Sequence, residues 1–461
     1  MTKTRKEADS MGAIDVPADA LYAAQTARAV TNFPISGWAM PKEFIHALAA
    51  IKLSAAMVNK RAGRLKAGVA DAIIAAAGEA MAGRHDAHFP LDVFQTGSGT
   101  SSNMNMNEVL ANRAMQILKG AEVVHPNDHV NMGQSSNDVV PAAIHVAAAA
   151  AISENLLPAL AKLKQALARK ARAFDSIVKI GRTHLMDAVP IRLGQEFSGY
   201  SAQIDHAGRL LRLAMDELYE LPIGGTAVGT GLNAPKGFGG AVCKELAGHV
   251  SGKWREASNH FAAQAAKDAA VFASGVLKAT AIVMGKIASD VRLLASGPAC
   301  GLGEIVLPAV QPGSSIMPGK VNPVICESVI QVACQVVGAD AAITAAATGG
   351  VGSILELNMA MPVLAANLLD QVRLLTNVAG VFESKCVAGL RANKARCNEL
   401  VERSLAMVTV LAPRIGYDRC AALVKEAQAG GKTIRQICIE KNVLPKAELN
   451  RLLDAGSQTG R

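Results

Sequence analysis

The stretch FSGYSAQIDHAGRLLRLAMDEL, residues 197–218, decides the fold class of this chain. Its apolar side chains recur at alternating steps of three and four residues, the spacing of one face of an α-helix; they are Phe197, Tyr200, Ile204, Ala207, Leu211, Ala214 and Leu218. A helix of this length extends about 33 Å. Because its apolar face must be covered, the stretch predicts a bundle of long helices.

Several other segments have the length and apolar content of partner helices. They are a leucine repeat at residues 156, 160, 163 and 167 and long runs over residues 260–295, 321–347 and 361–382. Only 3% of the residues are aromatic and 50% are hydrophobic. This composition favours close helix packing over a sheet sandwich. The sequence therefore predicts a mainly α protein with a central long-helix bundle.

The distribution of turn signals predicts three domains in series. Turn-forming residues are frequent in the first third of the chain, and the helical runs become long only beyond that point. From about residue 392 the amphipathic segments are short again. The predicted domains are an N-terminal helical and loop domain (1–134), a central long-helix bundle (135–391) and a small C-terminal helical domain (392–461).

Charge, cysteine usage and hydropathy limit the possible partners. The net charge of +9 is spread along the chain, so no basic patch indicates a nucleic acid or a membrane, whereas a small anionic substrate fits. Eight cysteines without zinc-site spacing are expected to be free thiols in a reducing compartment. The most apolar stretches, 139–152 and 269–285, are interrupted by Pro141, His145 and Lys278 and are expected to be too short to span a membrane. We expect a soluble, cytoplasmic protein.

Nucleotide and metal motifs do not fit the chain. Five residues separate Gly313 from Gly319 where a phosphate-binding P-loop has four, and Val321 stands where that loop needs Ser or Thr. The segment GGTAVGTG, residues 224–231, lacks GxGxxG spacing, and no HExxH occurs. We therefore expect neither a cofactor nor a metal.

Small hydroxyl and amide side chains are instead concentrated in several separate loops. Such groups, with one cation, supply the hydrogen-bond donors that bind a carboxylate; they are Ser98, Thr100, Ser101, Ser102, Asn103, Ser135, Ser136, Asn137, Thr183, His184, Ser314, Ser315, Lys320 and Asn322. Taken singly, each loop could be an ordinary turn or helix cap. GSSIMPGKVNP, residues 313–323, is poorly explained in that way, because two glycines and two prolines bracket hydroxyls, a cation and an amide immediately before a helix. This loop indicates an anion site.

These segments resemble the signature motifs of the fumarase/aspartase superfamily, and the resemblance extends over nearly the whole chain. Its motifs are GSSIMPGKVNP at 313–323, DSMGAIDVPAD at 9–19, QTGSGTSSNMNMNEV at 95–109, HPNDHVN at 125–131, QSSND at 134–138, GRTHL at 181–185 and GGTAVGTGLN at 224–233. The resemblance implies three helical domains and a homotetramer with a 20-helix core. Each active site would then combine loops from three subunits and act on a small dicarboxylate.

Within the superfamily the chain is more similar to class II fumarases than to aspartases. His184 decides this, because aspartases have Gln at that place, and Ser98 and Gly319 agree with it. The segments LGQEF at 193–197 and KVNPV at 320–324 are similar to aspartase. An aspartate ammonia-lyase or another C4-dicarboxylate lyase thus stays open as an alternative, as does a non-catalytic helical scaffold of the same fold. The scaffold alternative is less favoured, because a site without activity would have no reason to keep its hydrogen-bond donors Thr183, His184, Ser314, Lys320 and Asn322.

The resemblance also implies roles for individual residues in hydrating fumarate to malate within the tricarboxylic acid cycle. Ser314 would take the C3 proton of malate, while Lys320 and Asn322 would stabilise the resulting aci-carboxylate. His184, oriented by Glu327, would exchange a proton with the attacking water or departing hydroxyl. The implied substrate-binding set is Ser98, Gly99, Thr100, Ser135, Ser136, Asn137, Thr183, Ser315, Lys320, Val321 and Asn322.

A secondary dicarboxylate site is implied near the HPND segment, at His125, Pro126, Asn127 and Asp128. Some fumarases have basic residues just before this segment, whereas this chain has Glu122 and Val123. The departure weakens the case for anion binding there, since an acidic side chain repels an anion.

Overall fold

Helices are the main elements of the computed structural model, which describes residues 3–460. Between these limits the α-helices are α1 (Ala24–Asn32), α2 (Lys42–Arg61), α3 (Ala67–Met81), α4 (Thr100–Ile117), α5 (Ser136–Ala151), α6 (Leu157–Ala173), α7 (Leu193–Leu218), α8 (Phe238–Leu246), α9 (His260–Ala265), α10 (Asp268–Leu294), α11 (Val324–Ala347), α12 (Met361–Phe382), α13 (Lys394–Arg403), α14 (Ala412–Ile415), α15 (Tyr417–Gly430), α16 (Ile434–Glu440) and α17 (Lys446–Leu452). The mainly α class expected from the sequence is confirmed.

Short strands pair two by two between the helices. They are β1 (Thr4–Asp9), β2 (Gly12–Pro17), β3 (Val178–Thr183), β4 (Met186–Arg192), β5 (Glu220–Leu221), β6 (Arg255–Glu256), β7 (Ile305–Val306), β8 (Ser353–Ile354), β9 (Leu357–Asn358) and β10 (Arg391–Ala392). Strands β1 and β2 form an antiparallel hairpin, as do β3 and β4. The second hairpin carries the candidate residue His184 at its tip.

Two of the predicted helical runs begin or break differently in the structure. The run expected over 260–295 is interrupted at Ala266, whose backbone is extended, and α10 starts only at Asp268. The cause is Lys267, whose buried ammonium group donates hydrogen bonds to three backbone carbonyls, those of Ala263, Gln264 and Ala266. These carbonyls lie at the end of α9 and no longer need the N–H donors of a continuing helix. The run expected from residue 321 begins at Val324, directly after Pro323.

The expectation that no segment is long enough to span a membrane is wrong by length and hydropathy. Within the described part of the chain three helical segments meet both criteria: Ser136–Ala173, Asp268–Leu294 and Val324–Ala347. The first is longer than expected because a π-helical turn, Ile152–Leu156, joins α5 to α6. Its apolar window is 78% buried inside the chain, as expected for a bundle helix.

The chain divides into two compact units. The first comprises Met1–Pro158, Ala207–Ala281 and Cys334–Thr376. In this unit α2 packs against α3, α5 and α8. Three side chains of α2 are completely buried: Phe44, Leu48 and Ile51. Because these side chains recur at helical spacing, one continuous face of α2 is apolar. This packing fixes the start of α5, where several candidate residues lie.

The second unit comprises Ala159–His206, Ile282–Ala333 and Asn377–Arg461. Its C-terminal helices enclose an apolar cluster that includes Leu411, Leu423 and Cys438, together with Ile180 of β3. Helix α16 starts with a capping box, in which the Thr433 and Gln436 side chains each accept from the other's backbone N–H. The β3–β4 hairpin is therefore anchored on the C-terminal helices. The three-domain division stays a prediction.

Two isoleucines of α16 provide a matched test of this cluster. Ile437 is 5% exposed and Ile439 is 47% exposed. We expect Ile437→Ala to lower the free energy of unfolding by about 2–5 kcal/mol because it removes buried apolar contacts and leaves a cavity. Ile439→Ala should cost less than about 1 kcal/mol. Equal losses in denaturant titrations would contradict the assigned helix face.

Candidate active site

His184 lies in a tight turn with an unusual backbone conformation. Thr183 pairs with Met186, so the loop of the β3–β4 hairpin consists of His184 and Leu185 alone. Their φ angles are +55° and +63°, as required by a two-residue type I′ turn. Residues with a Cβ seldom adopt this conformation, which costs on the order of 1 kcal/mol each. The turn exposes Thr183 and His184 at its tip, a strained geometry typical of functional residues.

A buried charge cluster holds the hairpin in place. The carboxylate of Glu304, fully buried, accepts from Arg182 Nη1 at 3.0 Å and lies 3.1 Å from Lys179 Nζ. Lys179 also donates to Glu196 at 2.7 Å, and burial raises the pKa of Glu196. Both cations belong to β3. Because such charges are costly to bury unpaired, Glu304 fixes the strand that leads into His184.

The 313–323 loop is closed at its base by two hydrogen bonds. The Gly313 N–H donates to the Lys320 carbonyl at 2.9 Å, and the Asn322 side chain donates to the Gly313 carbonyl at 2.6 Å. A Cβ on Gly313 would lie 2.2 Å from the Lys320 oxygen, so this approach requires glycine. Between these ends Ser315, Lys320 and Val321 are exposed. Asn322 thus closes the loop as well as being a candidate substrate ligand.

Ser314 Oγ is surrounded by backbone donors at the start of this loop. It accepts hydrogen bonds from the N–H groups of Ile316 at 3.2 Å and Met317 at 3.1 Å. Two N–H dipoles aimed at one hydroxyl oxygen stabilise negative charge on it. The arrangement therefore suits a serine that must act as an alkoxide base. Glu327 lies further along, exposed in the first turn of α11.

In the first unit, hydroxyls from two loops form one continuous row. Thr100 Oγ1 shares hydrogen bonds with Ser98 Oγ at 2.7 Å and with Ser136 Oγ at 2.8 Å. Gly99 has a φ of +71°, and a Cβ there would lie 2.7 Å from a methyl group of Val140. The starts of α4 and α5 are therefore close together. The use of these residues in one substrate site stays a prediction.

Ser135 and Asn137 have different tasks at the start of α5. Ser135 is the N-cap of the helix and forms a capping box with Asp138, so the ordinary cap explanation holds for this serine. The Asn137 side chain instead donates to the carbonyl of Ala227 at 2.8 Å. Ala227 belongs to the glycine-rich segment 224–231, to which sequence reasoning gave no role. Its occurrence within the family-like motif GGTAVGTGLN was the only sequence signal.

The HPND segment forms a π-helical turn, Pro126–Val130, rather than a simple loop. His125 Nδ1 accepts from the Asp128 N–H at 3.1 Å and lies 3.2 Å from the Asp128 carboxylate. A cavity of about 440 Å³ next to this turn is lined by residues that include Arg64, Lys66 and Asp128. Two cations thus come from another segment, residues 64–66, but Glu122 lines the same cavity and its carboxylate lies 3.4 Å from Lys66 Nζ. The secondary site itself, with Pro126 and Asn127, stays a prediction.

The chain matches two family models, one for lyases over residues 12–338 and one for the fumarase C C-terminus over residues 407–457. Fold, loops and family models together define a fumarase-type lyase. The chain is 50% identical to "Fumarate hydratase class II 1" of Pseudomonas aeruginosa, covering 98% of this chain and 99% of that protein. It is 52% identical to "Fumarate hydratase class II" of Corynebacterium glutamicum, with coverages of 98% and 95%. It belongs to the class II fumarate hydratase family.

Solved structures agree with this assignment. A class II fumarase from Schistosoma mansoni superposes with a TM-score of 0.95 at 42% identity, covering 99% of both chains. A fumarate lyase:delta crystallin from Brucella melitensis bound to cobalt gives the same TM-score and identity, with complete coverage of both chains. Identity of 42% over essentially the whole chain supports membership of the same family as well as a common fold.

Glu304→Gln tests the charge cluster under the hairpin. We expect a loss of about 3–5 kcal/mol in unfolding free energy, because Arg182 would keep its largely buried charge without a carboxylate and Lys179 would retain only Glu196 as an ion-pair partner. Glu399→Gln is the matched control, since Glu399 contacts Arg396 and Arg403 on an exposed helix face; its unfolding midpoint should stay close to that of the unsubstituted protein. If the two variants unfold at the same denaturant concentration, Glu304 does not anchor the hairpin.

Proposed function

We infer that this chain catalyses the reversible hydration of fumarate to L-malate and is a hydro-lyase. The observation that carries this inference is the similarity to class II fumarate hydratases, about 50% identity over nearly the whole of both chains. A match of this extent supports an enzyme over a non-catalytic scaffold. It also favours a hydratase over an aspartate ammonia-lyase, in agreement with His184.

On the malate side, the reaction begins with removal of a weakly acidic C–H proton. We propose that the alkoxide of Ser314 takes the C3 proton, aided by the N–H groups of Ile316 and Met317 that already point at its oxygen. The electron pair left at C3 delocalises onto the neighbouring carboxylate and gives an aci-carboxylate with one additional negative charge. Lys320 and Asn322 stabilise this charge by electrostatic attraction and hydrogen bonding.

Loss of the hydroxyl from C2 completes the dehydration. In our proposal His184 donates a proton to the departing hydroxyl, which leaves as water while the electron pair at C3 forms the double bond of fumarate. In the hydration direction the same imidazole takes the proton from the attacking water. Glu327 orients the ring and stabilises its cationic form.

The hydroxyl and amide groups hold the two substrate carboxylates. The row Ser98, Thr100 and Ser136 offers neutral donors at the starts of two helices, where the helix dipoles also favour an anion. The proposed set also contains Gly99, Ser135, Asn137, Thr183, Ser315 and Val321. Neutral donors with a single lysine bind a dianion without holding the product too tightly, since each contributes modestly.

We propose that the enzyme is a homotetramer with a 20-helix core, in which each active site combines loops of three subunits. Large apolar side chains on the long helices support this proposal because they are exposed in the single chain; they include Leu213 of α7, Phe272 and Ile282 of α10, and Val337 of α11. Apolar patches of this kind mark protein interfaces. A monomeric form should therefore be inactive.

The proposed setting is the tricarboxylic acid cycle in the cytoplasm. All eight cysteines are free thiols, and six of them, including Cys326 and Cys397, are largely buried as small apolar side chains in the two units. A chain of this composition fits a reducing compartment.

Ser314→Ala tests the base. We expect turnover to fall by about 100-fold or more, the range for loss of a general base, with the oligomer unchanged in light scattering. Fumarate formation from malate, followed by ultraviolet absorbance, measures the effect. Ser384→Ala, on an exposed helical turn, is the control and should keep full activity. Near-normal turnover of the Ser314 variant would remove this residue from the mechanism.

His184→Asn separates hydration chemistry from ammonia release. The variant should lose malate dehydration by about 100-fold, because no imidazole remains to protonate the leaving hydroxyl. The parallel assay measures ammonia released from aspartate by the unsubstituted enzyme, which should be negligible. An enzyme that deaminates aspartate and ignores malate would refute the proposed function.

A further inference from the structure

The carboxylate of Asp138 joins two loops beneath the hydroxyl row. Its side chain is fully buried. Oδ1 accepts from the Ser135 N–H at 2.9 Å, and Oδ2 accepts from the N–H groups of Gly224 at 3.1 Å and Thr226 at 3.0 Å. Each oxygen thus serves a different loop. A carboxylate that bonds two loops by their backbones fixes the distance between them.

Lys52 provides the counter-charge. It is fully buried in α2 and donates to Asn131 Oδ1 at 2.8 Å. Burial lowers the pKa of Lys52 to about 7 and raises that of Asp138 to about 6, while the attraction between the two charges opposes both shifts. Asn131 also donates to the carbonyl of Gln134, the residue before Ser135. The positive charge is therefore connected to the same loop as the carboxylate.

The orientation of Asn137 depends on this junction. Its amide group donates to the Ala227 carbonyl at 2.8 Å, and Ala227 follows directly on Thr226, whose N–H is bound to Asp138. Gln264 donates to the Thr226 carbonyl at 2.8 Å and holds the other side of the loop. If Asp138 released Thr226, the acceptor that aims Asn137 would move. Ser136 would keep its hydrogen bond to Thr100 but lose the 3.4 Å hydrogen bond that its hydroxyl donates to the Asn137 oxygen.

We propose that Asp138 is a positioning residue for substrate binding, which holds loop 224–227 against Ser136 and Asn137 with Lys52 as its buried counter-charge. The proposal rests on the proposed function, because Ser136 and Asn137 are taken there as carboxylate ligands. Asp138 touches no reacting atom in this scheme. Its loss should therefore weaken dicarboxylate binding far more than it slows the chemical steps.

The carboxylate is needed for its charge and for its two acceptor oxygens. Asn at position 138 would replace one carboxylate oxygen by an NH₂ group, which cannot accept a hydrogen bond. The backbone N–H groups facing it would lose their acceptor, so at least one loop would lose its bond. A neutral side chain would also leave Lys52 buried without an opposite charge, which destabilises the fold. Removing the lysine charge at the same time should restore stability without restoring the missing acceptor.

The experiment compares Asp138→Asn, Lys52→Met and the double variant, with Asp340→Asn as the matched control. Asp340 is another largely buried carboxylate of the same unit and accepts from Lys278 and Ser274. For each we would measure kcat and KM for malate, the Kd of succinate as an unreactive C4 diacid, and the melting temperature. Because succinate does not react, its Kd tests the role of Asp138 in binding without depending on turnover.

We expect Asp138→Asn to raise both KM and the succinate Kd by about tenfold or more, the effect of a lost charged hydrogen bond, with kcat within about threefold. The double variant should recover melting temperature and keep the weak binding. Asp340→Asn should lose stability and bind succinate normally. Unchanged succinate binding by folded Asp138→Asn would overturn the proposal, as would equal weakening in the Asp340 control. Failure of the unsubstituted enzyme to convert malate would refute only the proposed function.

Discussion

Buried carboxylates hold the polar loops of this protein in place. Moving a carboxylate out of water costs several kcal/mol unless each oxygen finds donors, so the surrounding backbone has little freedom to move. In the first unit Asp138 binds three backbone N–H groups. In the second, Glu304 binds Arg182 and lies against Lys179. These two acids position the start of α5 and the strand that leads into His184.

Rigid support of this kind suits the chemistry that the loops would perform. Interconverting malate and fumarate places negative charge on one carboxylate and on the oxygen that leaves or attacks. Catalysis depends on hydrogen-bond donors that already point at these positions. At Ser314 such donors are already in place, since two backbone N–H groups point at the hydroxyl oxygen. The strained turn at His184 also needs support from its surroundings, because two residues with a Cβ adopt positive φ there.

The long helices leave part of their apolar surface exposed to solvent in the single chain. Their apolar faces are only partly buried within one chain, and the window in α11 is 33% buried. An apolar face of this size is unfavourable in water and needs a partner. Interfaces between identical chains would cover it, and such interfaces would also bring candidate loops from different subunits together. In the proposed homotetramer, one apolar surface would serve both the fold and the assembly of the active site.

The sequence by itself determined the helical class, since apolar periodicity over residues 197–218 is a local pattern that survives in α7. It also marked the turns that contain Ser98 and Ser314, because glycines, prolines and hydroxyl residues act on their immediate neighbours. The expectation that residues 100–103 and 136–137 lie in loops is wrong, since they form the first turns of α4 and α5. Only the tertiary structure decided that loop 224–227 lies against the start of α5, since Asp138 and Gly224 are 86 residues apart and no spacing rule relates them. Likewise, the break before α10 depends on the burial of Lys267, which propensity over a helical run does not reveal. Local patterns set which elements form, whereas the partners of buried charges are set by packing between distant segments.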